Sequence, residues 1–156
     1  MRYFEDFQVG ETIELGSKEM SEEEIIAFAS QYDPQPFHTS PELAKASTFG
    51  GVIASGWHTI NVFMRLFVDV ILNQTVSLAS PGVDEVRWLK PVRPGDVLRG
   101  RFIVAGCTPS RSRPEMGVVR SRCEMFNQRD ELVMSMAGTH FIGRRPAPTS
   151  EQAERT

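Results

Sequence analysis

The feature that most constrains the fold of this chain is an apolar segment, residues 56–72, which contains only two charged residues, Arg65 and Asp69. Its 17 residues are more than a typical strand holds, so the length favours a helix. Apolar side chains would occupy nearly every face of that helix, and such a helix is buried on most sides in a folded protein. The segment is too short and too charged for a membrane span to be expected.

After residue 81 the pattern changes to alternating apolar and polar residues, which is typical of strands with one covered face. Four segments show this pattern: residues 82–90, 97–106, 117–126 and 131–142. Turn-forming sequences follow the first segment at residues 94–96 and the third at residues 127–130. Residues 11–16 predict one more strand. An antiparallel sheet wrapped around the apolar helix would explain why that helix lacks a polar face, so the sequence predicts an α+β fold.

A first helix is predicted over residues 21–31, because Ser21 and Glu24 have the spacing of a capping box ahead of an apolar stripe. The following segment, residues 33–51, contains three prolines and two adjacent glycines. We expect irregular chain there, with a short helical turn at residues 41–46. A loop of this length inside a compact domain is more often functional than not.

The length of 156 residues suggests one domain, which we place at residues 1–144, followed by a flexible C-terminal tail at 145–156. A net charge of −3 disfavours nonspecific nucleic-acid binding. The two cysteines, Cys107 and Cys123, lack the spacing of a zinc site, so no metal site is expected. The first 15 residues have no apolar signal-peptide core, and we expect a cytoplasmic protein.

Asp33 and His38 are the candidate catalytic residues of the irregular segment. Pro34 and Pro36 restrict the backbone between them, so both side chains would be presented by stiffened chain. An acid and an imidazole held close together can perform general acid–base catalysis. The residue types by themselves leave a second interpretation open, in which the pair makes a structural hydrogen bond within the loop.

Four separated motifs resemble those of the MaoC-like dehydratases, also called R-specific enoyl-CoA hydratases or the hydratase 2 family. They are residues 3–10, 33–38, 49–56 and 88–96, in this order along nearly the whole chain. The resemblance implies a hot-dog fold, an antiparallel sheet wrapped around a long central helix. It further implies the reversible addition of water to a trans-2-enoyl-CoA, giving an R-3-hydroxyacyl-CoA. No cofactor is implied beyond the coenzyme A of the substrate, and a homodimer or a dimer of dimers is expected.

By the same resemblance, Asp33 and His38 handle the water and the α-proton, and the backbone N–H of Gly56 holds the thioester oxygen. The chain departs from the best-characterised family motif at three positions, with Tyr32 for a glycine, Gln35 for an asparagine and Phe37 for an aliphatic residue. These departures bear on the identity of the substrate more than on the class of reaction. Five further residues are expected to contact the substrate: Gln35, Phe37, Ser55, Trp57 and His58.

Two alternative functions remain open from the sequence. The first is an acyl-CoA thioesterase on the same fold, for which Asp69 is the only carboxylate on the central helix, although it lies more than three turns after Gly56. The second is a non-catalytic acyl-CoA-binding subunit, in which Asp33 and His38 have moved apart.

Basic residues are concentrated in the second half of the chain, and arginine side chains match the geometry of phosphate groups. They could contact the phosphates of coenzyme A, or they could simply point outward from the strands. The candidates are Arg87, Lys90, Arg93, Arg99, Arg101, Arg120 and Arg122.

Overall fold

The computed structural model describes residues 1–147. Its strands are β1 (Thr12–Glu19), β2 (Ser77–Trp88), β3 (Val97–Pro109), β4 (Met116–Phe126) and β5 (Leu132–Gly143). Its helices are α1 (Glu22–Tyr32), α2 (Pro36–Thr39), α3 (Pro41–Ala46) and α4 (Gly56–Val70), and single turns of 3₁₀ helix occur at Phe4–Asp6 and Leu72–Gln74.

The five strands form one antiparallel sheet in the order β1-β3-β4-β5-β2. The sheet curves around one side of helix α4, and the buried aromatic residues of this helix form the centre of the core. The ring of Phe67 stacks on Phe102 of β3 with the centroids 5.1 Å apart, and on Phe63 of the preceding helical turn at 5.8 Å. This is the hot-dog architecture that the sequence predicts.

Helix α4 is less completely buried than its composition predicts. Trp57, Met64 and Val70 are 58%, 45% and 36% exposed, and the helix ends at Val70, before the predicted end at residue 72. These side chains lie on the part of the helix that the curved sheet does not cover. The expectation of burial on most sides is therefore wrong for this part of the helix, because one sheet encloses the helix only partly.

Strand β2 begins at Ser77, five residues before the predicted segment, and it forms one edge of the sheet. An edge strand has a neighbour on one side only, so its other side lacks sheet hydrogen bonds. Leu78, Val83 and Trp88 are each close to half exposed along this strand. The alternating pattern of the sequence is present in β2, but the strand has little of the burial that the pattern normally indicates.

The segment between α1 and α4 is more regular than predicted. Helix α3 matches the helical turn predicted at 41–46, whereas α2 was not expected. Both helices begin with a proline at the first helical position, where the missing N–H would have no intrahelical partner. Helix α1 begins with the predicted capping box, since the Ser21 hydroxyl accepts from the N–H of Glu24 over 3.1 Å.

The C-terminal end of the described chain is held to the N-terminal 3₁₀ turn by ion pairs. The guanidinium of Arg144 contacts the Glu5 carboxylate over 2.9 Å, and that of Arg145 contacts Asp6 over 2.7 Å. Arg145 is the first residue of the predicted tail; residues 148–156 of that tail lie outside the described residues. Within the described range, no helix has the length and apolar character needed to cross a membrane.

Candidate active site

Asp33 and His38 lie together at the junction of three helices. Asp33 caps the C-terminus of α1, and His38 lies in α2 with only 5% of its surface exposed. The Oδ2 atom of Asp33 is 3.2 Å from Nε2 of His38. The structure therefore brings together the two residues that the sequence identifies as the candidate catalytic pair.

The second ring nitrogen of His38 determines which tautomer faces Asp33. Nδ1 lies 2.6 Å from the carbonyl oxygen of Ile53, and a carbonyl oxygen can only accept, so Nδ1 carries the proton. The neutral ring then has its lone pair on Nε2. The N–H of Ile53 also donates to the carbonyl of Phe37 over 3.1 Å, so the Ile53 peptide holds α2 and the imidazole in place.

The surroundings of Asp33 favour its charged form. Gln35 donates from Nε2 to Oδ1 of Asp33 over 2.7 Å, and this hydrogen bond is the main reason that the pKa of Asp33 is lowered. Burial acts in the opposite direction, while the Ser55 hydroxyl and His38 add smaller lowering effects. A carboxylate that is ionised at neutral pH can stabilise the imidazolium that forms when His38 accepts a proton.

Gly56 is the first residue of α4, where the backbone N–H has no intrahelical acceptor. The indole of Trp88 lies directly against this glycine. A Cβ atom built on Gly56 would lie 2.3 Å from Cε2 of Trp88, so the indole would have to move to admit any side chain. Glycine allows the close approach of the Trp88 indole, a contact that the sequence did not predict.

A groove of about 290 Å³ connects the His38 imidazole with the start of α4. Its apolar surface is larger than its polar surface, as is usual for small-molecule sites. Six of the residues that line it are His38, Phe49, Gly56, Thr59, Trp88 and Val133. Thr59 follows Gly56 by three residues and could have been found from helical spacing, whereas the approach of Trp88 and Val133 depends on the sheet.

The five predicted substrate-contacting residues take different positions. Gln35 orients Asp33, and Phe37 packs edge-on against the His38 ring at 4.5 Å. Trp57 is largely exposed and meets the Trp88 indole edge-on at 5.6 Å. None of these three lines the groove.

Ser55 and His58 also lie outside the lining of the groove. Ser55 is fully buried at the N-cap position of α4. His58 stacks on Phe28 of α1 with the centroids 4.7 Å apart, and it lines a separate groove between α1, β1 and α4. Burial lowers the pKa of His58. The structure does not bring His58 to the Asp33–His38 pair.

Asp69, the carboxylate of the thioesterase alternative, lies in that separate groove with His58. Its Oδ2 atom pairs with Nε of Arg65 over 2.9 Å. The central helix therefore presents no carboxylate to the groove of His38.

Four of the seven candidate phosphate ligands are paired with carboxylates of this chain. Lys90 contacts Glu131, Arg99 contacts Glu14 and Asp130, and Arg101 and Arg122 both contact Glu124. Of the candidates, only Lys90 lines the groove. These pairs favour the interpretation in which most of the basic side chains belong to the surface of the sheet.

Residues 6–124 match the family described as the MaoC like domain. Mesaconyl-CoA hydratase of Cereibacter sphaeroides is 32% identical over an alignment of 157 positions, which covers 95% of this chain and 45% of that protein. The chain thus spans less than half the length of this relative. The 3-hydroxybutyryl-CoA dehydratase of Methylorubrum extorquens is 32% identical over 119 residues, 73% of this chain and 71% of that protein.

Among solved structures, a MaoC-like dehydratase from Rhodospirillum rubrum superposes with a TM-score of 0.87 and 38% sequence identity, covering 94% of this chain and 100% of that one. The family match covers more than half of the chain and includes Asp33, His38 and Gly56. The chain belongs to the family of MaoC-like dehydratases.

Proposed function

We propose that this protein adds water reversibly to a trans-2-enoyl-CoA and gives an R-3-hydroxyacyl-CoA. The observation that carries the proposal is that His38, whose Nε2 lies 3.2 Å from the Asp33 carboxylate, lines a groove that also reaches the N-terminus of α4. A base and an anion-stabilising backbone amide are the two groups that this reaction needs. The hydratase and dehydratase relatives support the same class of reaction.

Helix α4 supplies the stabilisation of the intermediate. In the proposed complex the thioester oxygen accepts a hydrogen bond from the N–H of Gly56. Addition of water to the double bond places negative charge on that oxygen as the enolate forms. The positive end of the helix dipole and the unpaired amide both favour this charge.

His38 and Asp33 move the proton. His38 lines the groove, so its Nε2 takes a proton from water while the remaining hydroxide forms the bond to C3 of the acyl group. Asp33 stabilises the resulting imidazolium, which then returns a proton to Cα of the enolate. The balance is one water added, with His38 regenerated. No step requires a metal or redox cofactor, and coenzyme A enters as part of the substrate.

The acyl chain is proposed to run along α4. A second groove of about 320 Å³ lies between this helix, β2 and β5. Ile60, Phe63 and Phe67 line it and continue the helical face on which Gly56 and Thr59 line the first groove. The walls are mostly apolar, which suits a hydrocarbon chain.

The edge strand β2 is the proposed interface of a homodimer, which could assemble further into a dimer of dimers. Two copies of β2 can pair through backbone groups that lack partners in one copy, and this pairing would also cover Leu78 and Val83. The cytoplasmic location expected from the sequence stays a prediction.

The test is a panel of trans-2-enoyl-CoA esters of increasing chain length, followed by loss of the absorbance of the conjugated thioester, with chiral analysis of the product. Hydration with formation of the R product is expected. Release of free thiol would instead support a thioesterase. Binding without either reaction would support a non-catalytic acyl-CoA-binding subunit, and the proposed function would be wrong.

A further inference from the structure

The indole N–H of Trp88 is a hydrogen-bond donor that makes no hydrogen bond within residues 1–147. Trp88 is 47% exposed and lines the same groove as His38 and Gly56. A tryptophan N–H can only donate, and it normally has an acceptor when it is buried. A substrate that fills the groove shields this N–H from water. The substrate must then supply an acceptor, because a buried donor without one costs free energy.

The end of the edge strand determines where this indole lies. Trp88 is the last residue of β2 and pairs with Met134 of β5. The next residue, Leu89, donates its N–H to the carbonyl oxygen of Val133 over 2.8 Å. Pairing with β5 therefore fixes the strand end, and Gly56, which has no side chain, lets the indole come close to the start of α4.

The indole nitrogen lies close to the backbone amide of Gly56. A Cβ atom built on Gly56 would lie 2.5 Å from Nε1 of Trp88. Standard bond lengths put such a Cβ about 2.5 Å from the backbone nitrogen of the same residue, so the two nitrogens are at most about 5 Å apart. Two N–H bonds of ordinary length can meet at one oxygen when their donors are up to about 5.8 Å apart. The distance therefore allows one oxygen atom to accept from both donors.

We propose that Trp88 is a catalytic residue, whose indole N–H donates a second hydrogen bond to the thioester oxygen, beside the bond from the N–H of Gly56. This inference rests on the proposed function. Negative charge grows on this oxygen as the enolate forms, so both hydrogen bonds are stronger in the intermediate than in the bound substrate. The helix and the sheet then each contribute one neutral donor to the same oxygen.

The first measurement uses two coenzyme A derivatives that cannot be hydrated. Butyryl-CoA has the thioester oxygen, and S-butyl-CoA is the matching thioether without it. The chain has two tryptophans, so in Trp57→Phe the remaining indole ¹⁵N–¹H resonance belongs to Trp88. A hydrogen bond to the thioester oxygen should move the indole proton downfield when butyryl-CoA binds. S-butyl-CoA should not produce this shift, because it offers no oxygen at that position.

The second measurement is steady-state hydration of an enoyl-CoA. Trp88→Phe keeps an aromatic ring in the groove and removes the donor. Its kcat should fall by about 10²-fold, the lower end of the usual loss for one oxyanion donor, with a smaller change in KM. The control is Trp57→Phe, because Trp57 meets the Trp88 indole edge-on at 5.6 Å but does not line the groove. This control should leave kcat within about threefold of the wild-type value.

A second variant preserves the shape of the indole and carries the kinetic test if Trp88→Phe does not fold. In the Trp57→Phe background, biosynthetic replacement of Trp88 by β-(3-benzothienyl)alanine exchanges the N–H for sulfur. Its kcat should be about 10²-fold below that of Trp57→Phe.

Two results overturn the proposal. One is an indole resonance that responds equally to butyryl-CoA and S-butyl-CoA. The other is a benzothienyl variant with a kcat within about threefold of the Trp57→Phe value. If the wild type hydrates no enoyl-CoA, the proposed function fails, while the resonance still decides whether Trp88 contacts the thioester oxygen.

Discussion

Two buried histidines from other elements pack beside helix α4, one near its N-terminus and one beside its C-terminal half. Their surroundings are opposite in character. Near the N-terminus, His38 is 5% exposed and faces the Asp33 carboxylate at 3.2 Å. Beside the C-terminal half, His140 of β5 is 9% exposed, bonds to the Ser121 hydroxyl at 2.8 Å and lies 5.2 Å from the Phe67 ring. The degree of burial is nearly the same, but the partner is a charged carboxylate in one case and a neutral hydroxyl in the other.

The comparison shows that burial by itself does not make a histidine a base. Burial lowers the pKa of His140 to about 4, so this ring stays neutral at physiological pH. A carboxylate beside an imidazole stabilises the charged form and so opposes the effect of burial. His38 therefore has a charged neighbour that His140 lacks, whereas His140 packs against Phe67 and forms a hydrogen bond with Ser121.

The largest expected effect comes from breaking the carboxylate–imidazole pair. Asp33→Asn and His38→Gln should each lower kcat for enoyl-CoA hydration by about 10²–10⁴, the usual contribution of a general acid–base group. Both residues lie outside the sheet, so far-ultraviolet circular dichroism should be unchanged. The control is His58→Gln, because His58 lies in the separate groove between α1, β1 and α4. This substitution should leave kcat within about threefold of the wild-type value. Full turnover in a folded His38→Gln protein would remove the proposed mechanism.

The next effect concerns the amide at the start of α4. Gly56→Pro removes the N–H and is compatible with the first helical position. The matching control is Gly56→Ala, which keeps the N–H. In the wild-type background this control is unsuitable, because any Cβ at Gly56 collides with the Trp88 indole. Both substitutions should therefore be made in a Trp88→Ala background. There, Gly56→Pro should have a kcat about 10²–10³ lower than Gly56→Ala, the usual loss for one oxyanion donor.

Equal turnover of these two double variants would show that another group stabilises the enolate. Comparison of Gly56→Ala with and without Trp88→Ala separately measures the collision. A recovery of kcat in the double variant is expected if the indole is what the added methyl group displaces.

The pH dependence of stability tests the other histidine. The pKa of His140 is lowered in the folded state, so the unfolded chain binds the proton more readily below about pH 6.5. The contribution of His140 to stability should therefore decrease as the pH falls from about 6.5 towards 4, by at most about 3 kcal/mol. Urea unfolding of wild type and a His140→Leu/Ser121→Ala variant, compared from pH 7 to pH 4, measures it. Parallel pH profiles for the two proteins would show that His140 does not contribute.

The smallest effect is expected at the mouth of the first groove. Lys90 lines this groove and is half exposed while it pairs with Glu131. A contact between an exposed amine and a phosphate of coenzyme A is worth roughly 0.5–1 kcal/mol, so Lys90→Gln should raise KM for CoA esters about two- to fivefold. KM for short pantetheine thioesters, which lack the nucleotide phosphates, should not change. An equal rise for both substrates would show that Lys90 only supports the structure of the groove.

Several parts of this protein could be predicted from local sequence alone. The capping box of α1, the helical character of residues 56–70 and the strands β3, β4 and β5 all appear in the structure close to their predicted positions. The pairing of Asp33 with His38 also follows from a short segment, since only four residues separate them and two of these are prolines. Such features depend on interactions between residues that are near neighbours in the chain, and the sequence contains that information directly.

Other parts were decided by tertiary structure. The alternating pattern of β2 gives no sign that this strand lies at the edge of the sheet, because edge position depends on the order of five strands. Gly56 and His58 are two residues apart on one helix, and they line different grooves because the sheet and α1 cover different faces of α4. Trp88 reaches Gly56 across 32 positions of sequence, through the curvature of the sheet. Periodicity specifies which residues share a face, but only the packed chain determines what that face meets.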